Sequence, residues 1–163
     1  PAAAHAAGVL ILSLLVLGFV LFRVDLDEER SAAVPGGRAY LQGENAYAFE
    51  QEAFWTRGRG AATAVVRTPV RAGRITVLVS SAVAGEVAVS IGPRRGSLRL
   101  EERTGLRGAW VADAPIGVRI RDGGYLYAVR IRASRAFVPV RINPDIPDGR
   151  VLGALAQIRV EAP

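Results

Sequence analysis

From residue 47 to the C-terminus the chain is a succession of short apolar runs punctuated by Gly, Pro and Asp. In "YLYAVRIRAS", Tyr125, Tyr127, Val129 and Ile131 fall on one side of an extended backbone, with Arg130 and Arg132 on the other. "RITVLVS" aligns Ile75, Val77 and Val79 in the same way, and "GEVAVSIG" aligns Val87, Val89 and Ile91. A period of two belongs to strands with one buried face, and no stretch beyond residue 22 carries a convincing helical period. The pattern predicts strands at Tyr47–Trp55, Ala61–Thr68, Arg74–Ser81, Glu86–Ile91, Ser97–Glu102, Ala109–Ala114, Gly117–Arg121, Tyr125–Ala133, Phe137–Ile142 and Leu152–Glu161. "IGPRRGSLRL" reads as a hairpin around Pro93–Gly96, and "RDGGYLY" carries an Asp-Gly turn. Many short strands at such spacing predict a mainly β domain, an antiparallel β-sandwich or jelly roll over residues 47–163. Residues 23–46, with the turn Pro35-Gly36-Gly37, read as a linker.

Upstream the pattern changes. "AAGVLILSLLVLGFVLF", Ala6–Phe22, has no charged residue. As a helix it would cover ~26 Å, close to the ~30 Å hydrocarbon core of a bilayer. Its Leu, Ile, Val and Phe residues favour insertion by roughly 4–7 kcal/mol together. A transmembrane helix over residues 1–22 is therefore expected, with the lipid bilayer as its partner. The competing reading is a cleavable signal peptide, with small residues at Ser31–Ala33. The charged "RVDLDEER" separates those residues from the apolar run, which favours an anchor. The acid-rich exit orients residues 23–163 to the extracytoplasmic (periplasmic) side of a bacterial cytoplasmic, or inner, membrane.

Composition narrows the chemistry. There is no cysteine, which removes disulfides, thiolate metal sites and thiol catalysis. The single histidine, His5, precedes the apolar run and cannot serve a triad in the β domain. No P-loop, dinucleotide fingerprint or zinc spacing is present. Carboxylate pairs drawn from Glu50, Glu52, Asp113, Asp145 or Asp148 have no distinguishing context. Catalysis by this chain alone is not expected, and no cofactor is implied. All 21 basic residues are arginine and the net charge is +6. The arginines are scattered along strands without a recognition motif, which argues against nucleic acid. They read as a solvated surface, with anionic lipid headgroups or a polyanionic glycan as the alternatives.

The aromatics are the stronger binding candidates. Tyr47, Phe49, Phe54 and Trp55 cluster in "AYAFEQEAFWTRG", and Trp110 stands apart. Trp55 beside a Gly-rich turn, with Glu52 and Arg57 close by, has the make-up of a sugar-stacking position. Trp110 is a second candidate, and both rings would equally serve a core. In "RAFVPVRINPDIPDGRVLG" the oxygens of Asn143, Asp145 and Asp148 are weak candidates for calcium. The spacing is not that of an EF-hand, and the same residues form ordinary turns.

Two stretches, "FEQEAFWTRGRGAATAVVRT" and "AFVPVRINPDIPDGRVLGALAQIRVE", carry a resemblance. The second follows F-x-P, then x-P, then D-x-R-x-L-G and a final strand. Together they resemble the C-terminal extracytoplasmic β-sandwich of bacterial multi-pass membrane proteins, including glycosyltransferases of the dolichyl-phosphate-mannose type. The resemblance spans residues 49–161. It implies that Phe137, Pro139, Asp148, Arg150, Leu152 and Gly153 are framework positions. The family's catalytic acids lie in a membrane domain that this sequence does not contain, so no catalytic residue carries over. On that view Ala6–Phe22 is the last transmembrane helix of a longer protein. The expected role is a membrane-anchored accessory or binding module in cell-envelope glycan or glycolipid processing. Its partners would be a glycan, a glycolipid or a membrane protein. The alternatives are a structural or protein-interaction module without a ligand, and the C-terminal part of a lipid-linked-sugar glycosyltransferase.

Overall fold

The computed structural model describes residues 26–163 apart from Asp122. Ala6–Phe22, expected as a transmembrane helix, and His5 lie outside the described residues. Among those described, no helix is long and apolar enough to cross a membrane.

The fold is a sandwich of two antiparallel sheets. Its strands are β1 (Ser31–Val34), β2 (Gly37–Gln42), β3 (Ala53–Arg57), β4 (Ala61–Thr68), β5 (Arg74–Ser80), β6 (Gly85–Ile91), β7 (Arg94–Leu100), β8 (Arg107–Asp113), β9 (Val118–Arg119), β10 (Tyr125–Ala133) and β11 (Leu152–Glu161). The larger sheet has the order β1-β2-β4-β10-β6-β7, with β9 added beside β10; the smaller has the order β3-β11-β5-β8.

The alternation in the sequence is the alternation in space. Val87, Val89 and Ile91 of β6 and Tyr127, Val129 and Ile131 of β10 are buried. They face Ile75, Val77 and Val79 of β5 and Ala154, Ala156 and Ile158 of β11, all part of one core. Two buried polar groups are satisfied locally. The Tyr127 phenol accepts the Ala72 N–H at 2.8 Å. Thr56 Oγ1 accepts the Ala154 N–H at 3.0 Å, where β11 shifts register between Leu152 and Leu155. That shift needs Gly153, because a Cβ there would collide with Thr56 Oγ1 and the Gly58 carbonyl.

Three expectations are corrected. Within the expected linker, residues 31–42 form the β1–β2 hairpin, which turns at Pro35-Gly36 with Gly36 at φ 82°. Tyr47–Trp55 is not one strand: its chain doubles back at residues 51–52 before entering β3. Phe137–Ile142 does not extend the sheet. Phe137 makes one bridge to Leu152, and Pro139–Ile142 then forms a single helical turn. Pro139 has no N–H to give a ladder, and its fixed φ suits the first turn of a helix.

Candidate functional site

The doubled-back segment is a tight hairpin closed by Glu50 and Ala53. The Glu50 N–H donates to the Ala53 carbonyl at 2.7 Å, and the Ala53 N–H donates back at 3.3 Å. Gln51, the first turn residue, has φ 61°, a conformation that suits glycine and costs another residue about 1–2 kcal/mol. Strain of this kind collects where surrounding structure is built to hold a particular arrangement. The hairpin's second arm is β3. Phe54 and Thr56 point into the core and are fully buried, so the alternation sends Trp55 and Arg57 outward.

Beside this hairpin lies the loop 138–151. Its neck is a pair of hydrogen bonds between Phe137 and Leu152, each N–H donating to the other's carbonyl at 2.8 Å. Within the loop, the Val140 N–H donates to the Asp148 carbonyl at 3.0 Å. The Asp145 N–H donates to Asn143 Oδ1 at 3.1 Å, closing an Asx turn. A surface loop with adjoining ends and its own internal bonds is compact.

Arg150 joins the loop to the hairpin. Its Nη2 donates to Asp148 Oδ2 at 2.8 Å, its Nε contacts both Asp148 oxygens, and its backbone N–H donates to Oδ1. Its Nη1 donates to Glu50 Oε1 at 2.8 Å. The Arg150 side chain, and then its N–H, hold the Asp148 carboxyl below its ordinary range. Asp148 first and Glu50 second push the Arg150 guanidinium up. Arg57 and Arg150 both contact the Tyr47 ring, 4.8 and 5.1 Å from its centroid. Trp55 meets Phe137 edge to face at 5.7 Å.

The sequence candidates therefore separate. Trp55, Arg57 and Glu52 share the hairpin region, with Glu52 accepting from Gln157 Nε2 at 2.9 Å. Arg57 has no carboxylate partner among the described residues. Trp110 does not join them. It stands at the opposite edge of the smaller sheet and packs against the core, its indole so close to Gly96 that a Cβ there would collide with the ring nitrogen. The weak metal candidates do not converge. Asn143 closes its turn and the Asp148 oxygens are taken by Arg150, and no group of three metal-ligating side chains occurs among the described residues. Asp113 is paired with Arg74 at 2.7 Å. Phe137 and Arg150 were read only as framework residues, and nothing in the sequence alone pairs either with the hairpin.

The surface so formed combines a half-buried indole, a tyrosine held by two guanidiniums and the carboxylates Glu50 and Glu52. Leu155 is Trp55's neighbour across the sheet, and Leu78 and Ala109 continue the outer face beyond it. Side chains of these kinds are suited to stacking and hydrogen bonding, and among the described residues of this surface no nucleophile stands beside a base.

No family model matches the chain, and no curated protein matches it. Among solved structures, the secreted serine protease VesC from Vibrio cholerae is similar over 78% of this chain and 25% of its own, at 10% identity and a TM-score of 0.44. This chain thus spans about a quarter of that protease. TmCBM61, solved in complex with β-1,4-galactotriose, is similar over 77% of this chain and 82% of its own, at 10% identity and a TM-score of 0.34.

Proposed function

We propose that this chain is a binding module without chemistry of its own, and that its ligand is a sugar of the cell envelope, free or lipid-linked. The observation that carries this reading is Trp55. It stands on the outside of the sandwich, braced by Phe137, and next to it Arg57 has no acidic partner among the described residues. An aromatic face flanked by charged hydrogen-bonding groups is what a pyranose ring uses, with stacking for its C–H face and polar groups for its hydroxyls. The Asp148–Arg150–Glu50 network keeps the hairpin and the loop together, so the surface is ordered before ligand arrives. We read β4-β10-β6-β7 over β3-β11-β5-β8 as a jelly roll, an architecture that lectin domains also use. In keeping with the resemblance carried by "DGRVLG", we place the module on the extracytoplasmic side of a membrane, anchored through Ala6–Phe22.

A second reading is a protein-interaction module. It is favoured by Val140, Ile142, Ile146 and Val151, 37–53% exposed in or next to the same loop.

The experiment is a screen of the full chain, in neutral detergent, against an array of mannosyl, galactosyl, glucosyl and arabinosyl oligosaccharides. The expected result is retention of one class, lost in a Trp55→Ala variant that still unfolds cooperatively, with its melting temperature lowered only by the lost Phe137 contact. An array without hits, or a folded Trp55→Ala that binds as well as the parent, contradicts the sugar reading and leaves the interaction reading in its place.

A further inference from the structure

The outer face of the larger sheet, on the other side of the sandwich from Trp55, carries a second feature. Three hollows of about 660, 390 and 630 Å³ lie along β6 and β10. The first two share Ala88 and Arg132, and the last two share Glu86 and Ser134, so they form one trough. It follows β6 from Gly92 to Ala84, a run on the order of 25 Å at strand rise.

Register explains its shape. Thr63 of β4, Arg130 of β10, Ser90 of β6 and Arg95 of β7 lie side by side across four strands. The next outward row is Ala61, Arg132, Ala88 and Ser97. Small side chains make the floor and long arginines make the walls. Arg59, Arg95, Arg99, Arg130, Arg132 and Arg135 line the trough against two acids, Glu86 and Glu101. Glu101 lies 3.9 Å from Arg99. Arg95, Arg130 and Arg132 are exposed and have no acidic partner among the described residues.

We infer that this trough binds a linear anionic glycan, with arginines on its carboxylates or phosphates and Thr63, Ser90 and Ser97 on its hydroxyls. The reasons are chemical. Side-by-side arginines without acids repel one another and are relieved by a polyanion. No aromatic side chain lines the trough, so it lacks the stacking platform of a single-stranded nucleic-acid site. A floor of Ala, Ser and Thr offers no apolar pocket for the side chains of an acidic peptide. The exposed apolar residues that line the trough are alanines, with no large hydrophobic side chain exposed among them, so it is also unsuited to insertion into a bilayer. This site is distinct from the Trp55 surface and does not depend on it.

The test is affinity electrophoresis of the full chain, in neutral detergent, through polygalacturonate, with dextran as the neutral control. Expected are retention by polygalacturonate only, weaker retention as salt rises, and roughly tenfold weaker binding in Arg130→Gln/Arg132→Gln. Ser90→Glu, which puts a negative charge between Arg130 and Arg95, is a second variant with the same expected loss. Trp55→Ala is expected to bind as the parent does. Both trough variants alter the solvent face and should keep the parent's melting temperature. No retention of the parent overturns the inference, as does undiminished binding by both trough variants. Equal, Arg130-dependent binding to phosphatidylglycerol in mixed micelles of the same detergent, or to oligothymidylate, also overturns it, by assigning the trough to lipid or nucleic acid.

Discussion

The Arg150 guanidinium contacts the Tyr47 ring at 5.1 Å from its centroid while it binds Asp148 through Nη2 and Glu50 through Nη1, both at 2.8 Å. One side chain thereby fixes the position of a loop, a hairpin and an aromatic ring. Arg150→Ala is expected to destabilise the fold by about 1–2 kcal/mol, measured by urea unfolding. That lies above a lone surface pair because several charge-assisted bonds are lost together. Arg150→Lys should recover only part of this, since an ammonium cannot span both carboxylates as the planar fork does.

The Asp148 carboxyl titrates below its ordinary value because of Arg150. A depressed carboxylate stabilises the fold above the unfolded-state value, about 4, and that contribution is lost as pH falls through the lower folded value. The melting temperature should therefore decline on acidification below about pH 4. In Asp148→Asn the neutral-pH melting temperature should be lower and this part of the acid decline shallower. Parallel curves for the two proteins would contradict the assignment.

Gln51 holds a left-handed conformation at the tip of the hairpin. Gln51→Gly should relieve that strain and stabilise the protein by about 1 kcal/mol, read from the denaturation midpoint. A loss of stability would show that the Gln51 side chain contributes more than its backbone costs.

Trp110 and Trp55 should behave as opposites. Trp110 packs against the core over Gly96, so Trp110→Ala is expected to cost about 2–4 kcal/mol, less than a fully buried tryptophan, and to leave ligand binding intact. Trp55→Ala should cost only about 1 kcal/mol, through its lost contact with Phe137, and abolish binding. Thermal unfolding and the oligosaccharide array, run on both variants, separate the two roles.

Much of the fold was legible because burial follows a period of two. β4, β10 and β11 run over the residues that the alternation marks, Ala61–Thr68, Tyr125–Ala133 and Leu152–Glu161. The β1–β2 hairpin was hidden because "AVPGGRAYL" looks like a turn-rich linker, and only the partnership of Arg38–Gln42 with β4 makes it a sheet. The segment "FVPVRI" has the composition of a strand, but Pro139 turned it into a helical turn. The two tryptophans look alike in sequence, and only the facing of β3 and β8 separates them. The trough was invisible for a different reason. Arg95 and Arg130 are far apart in the chain and become neighbours only through their shared partner Ser90 on β6. In "RAFVPVRINPDIPDGRVLG" the sequence offered a choice between a metal loop and a connection. The structure gives its Asp148 to Arg150 and its Phe137 to Trp55, so the loop serves as a brace for the hairpin.

A sugar stacked on Trp55 would change the surroundings of its indole N–H. The chain has two tryptophans, so its proton–nitrogen spectrum holds two indole signals. The decisive measurement is a titration of the ¹⁵N-labelled full chain with the oligosaccharide selected on the array, with the signals assigned through Trp55→Phe. The expected result is a saturable shift of the Trp55 indole and a stationary Trp110 indole. A shift confined to Trp110, or no shift at either ring at saturating ligand, would contradict it.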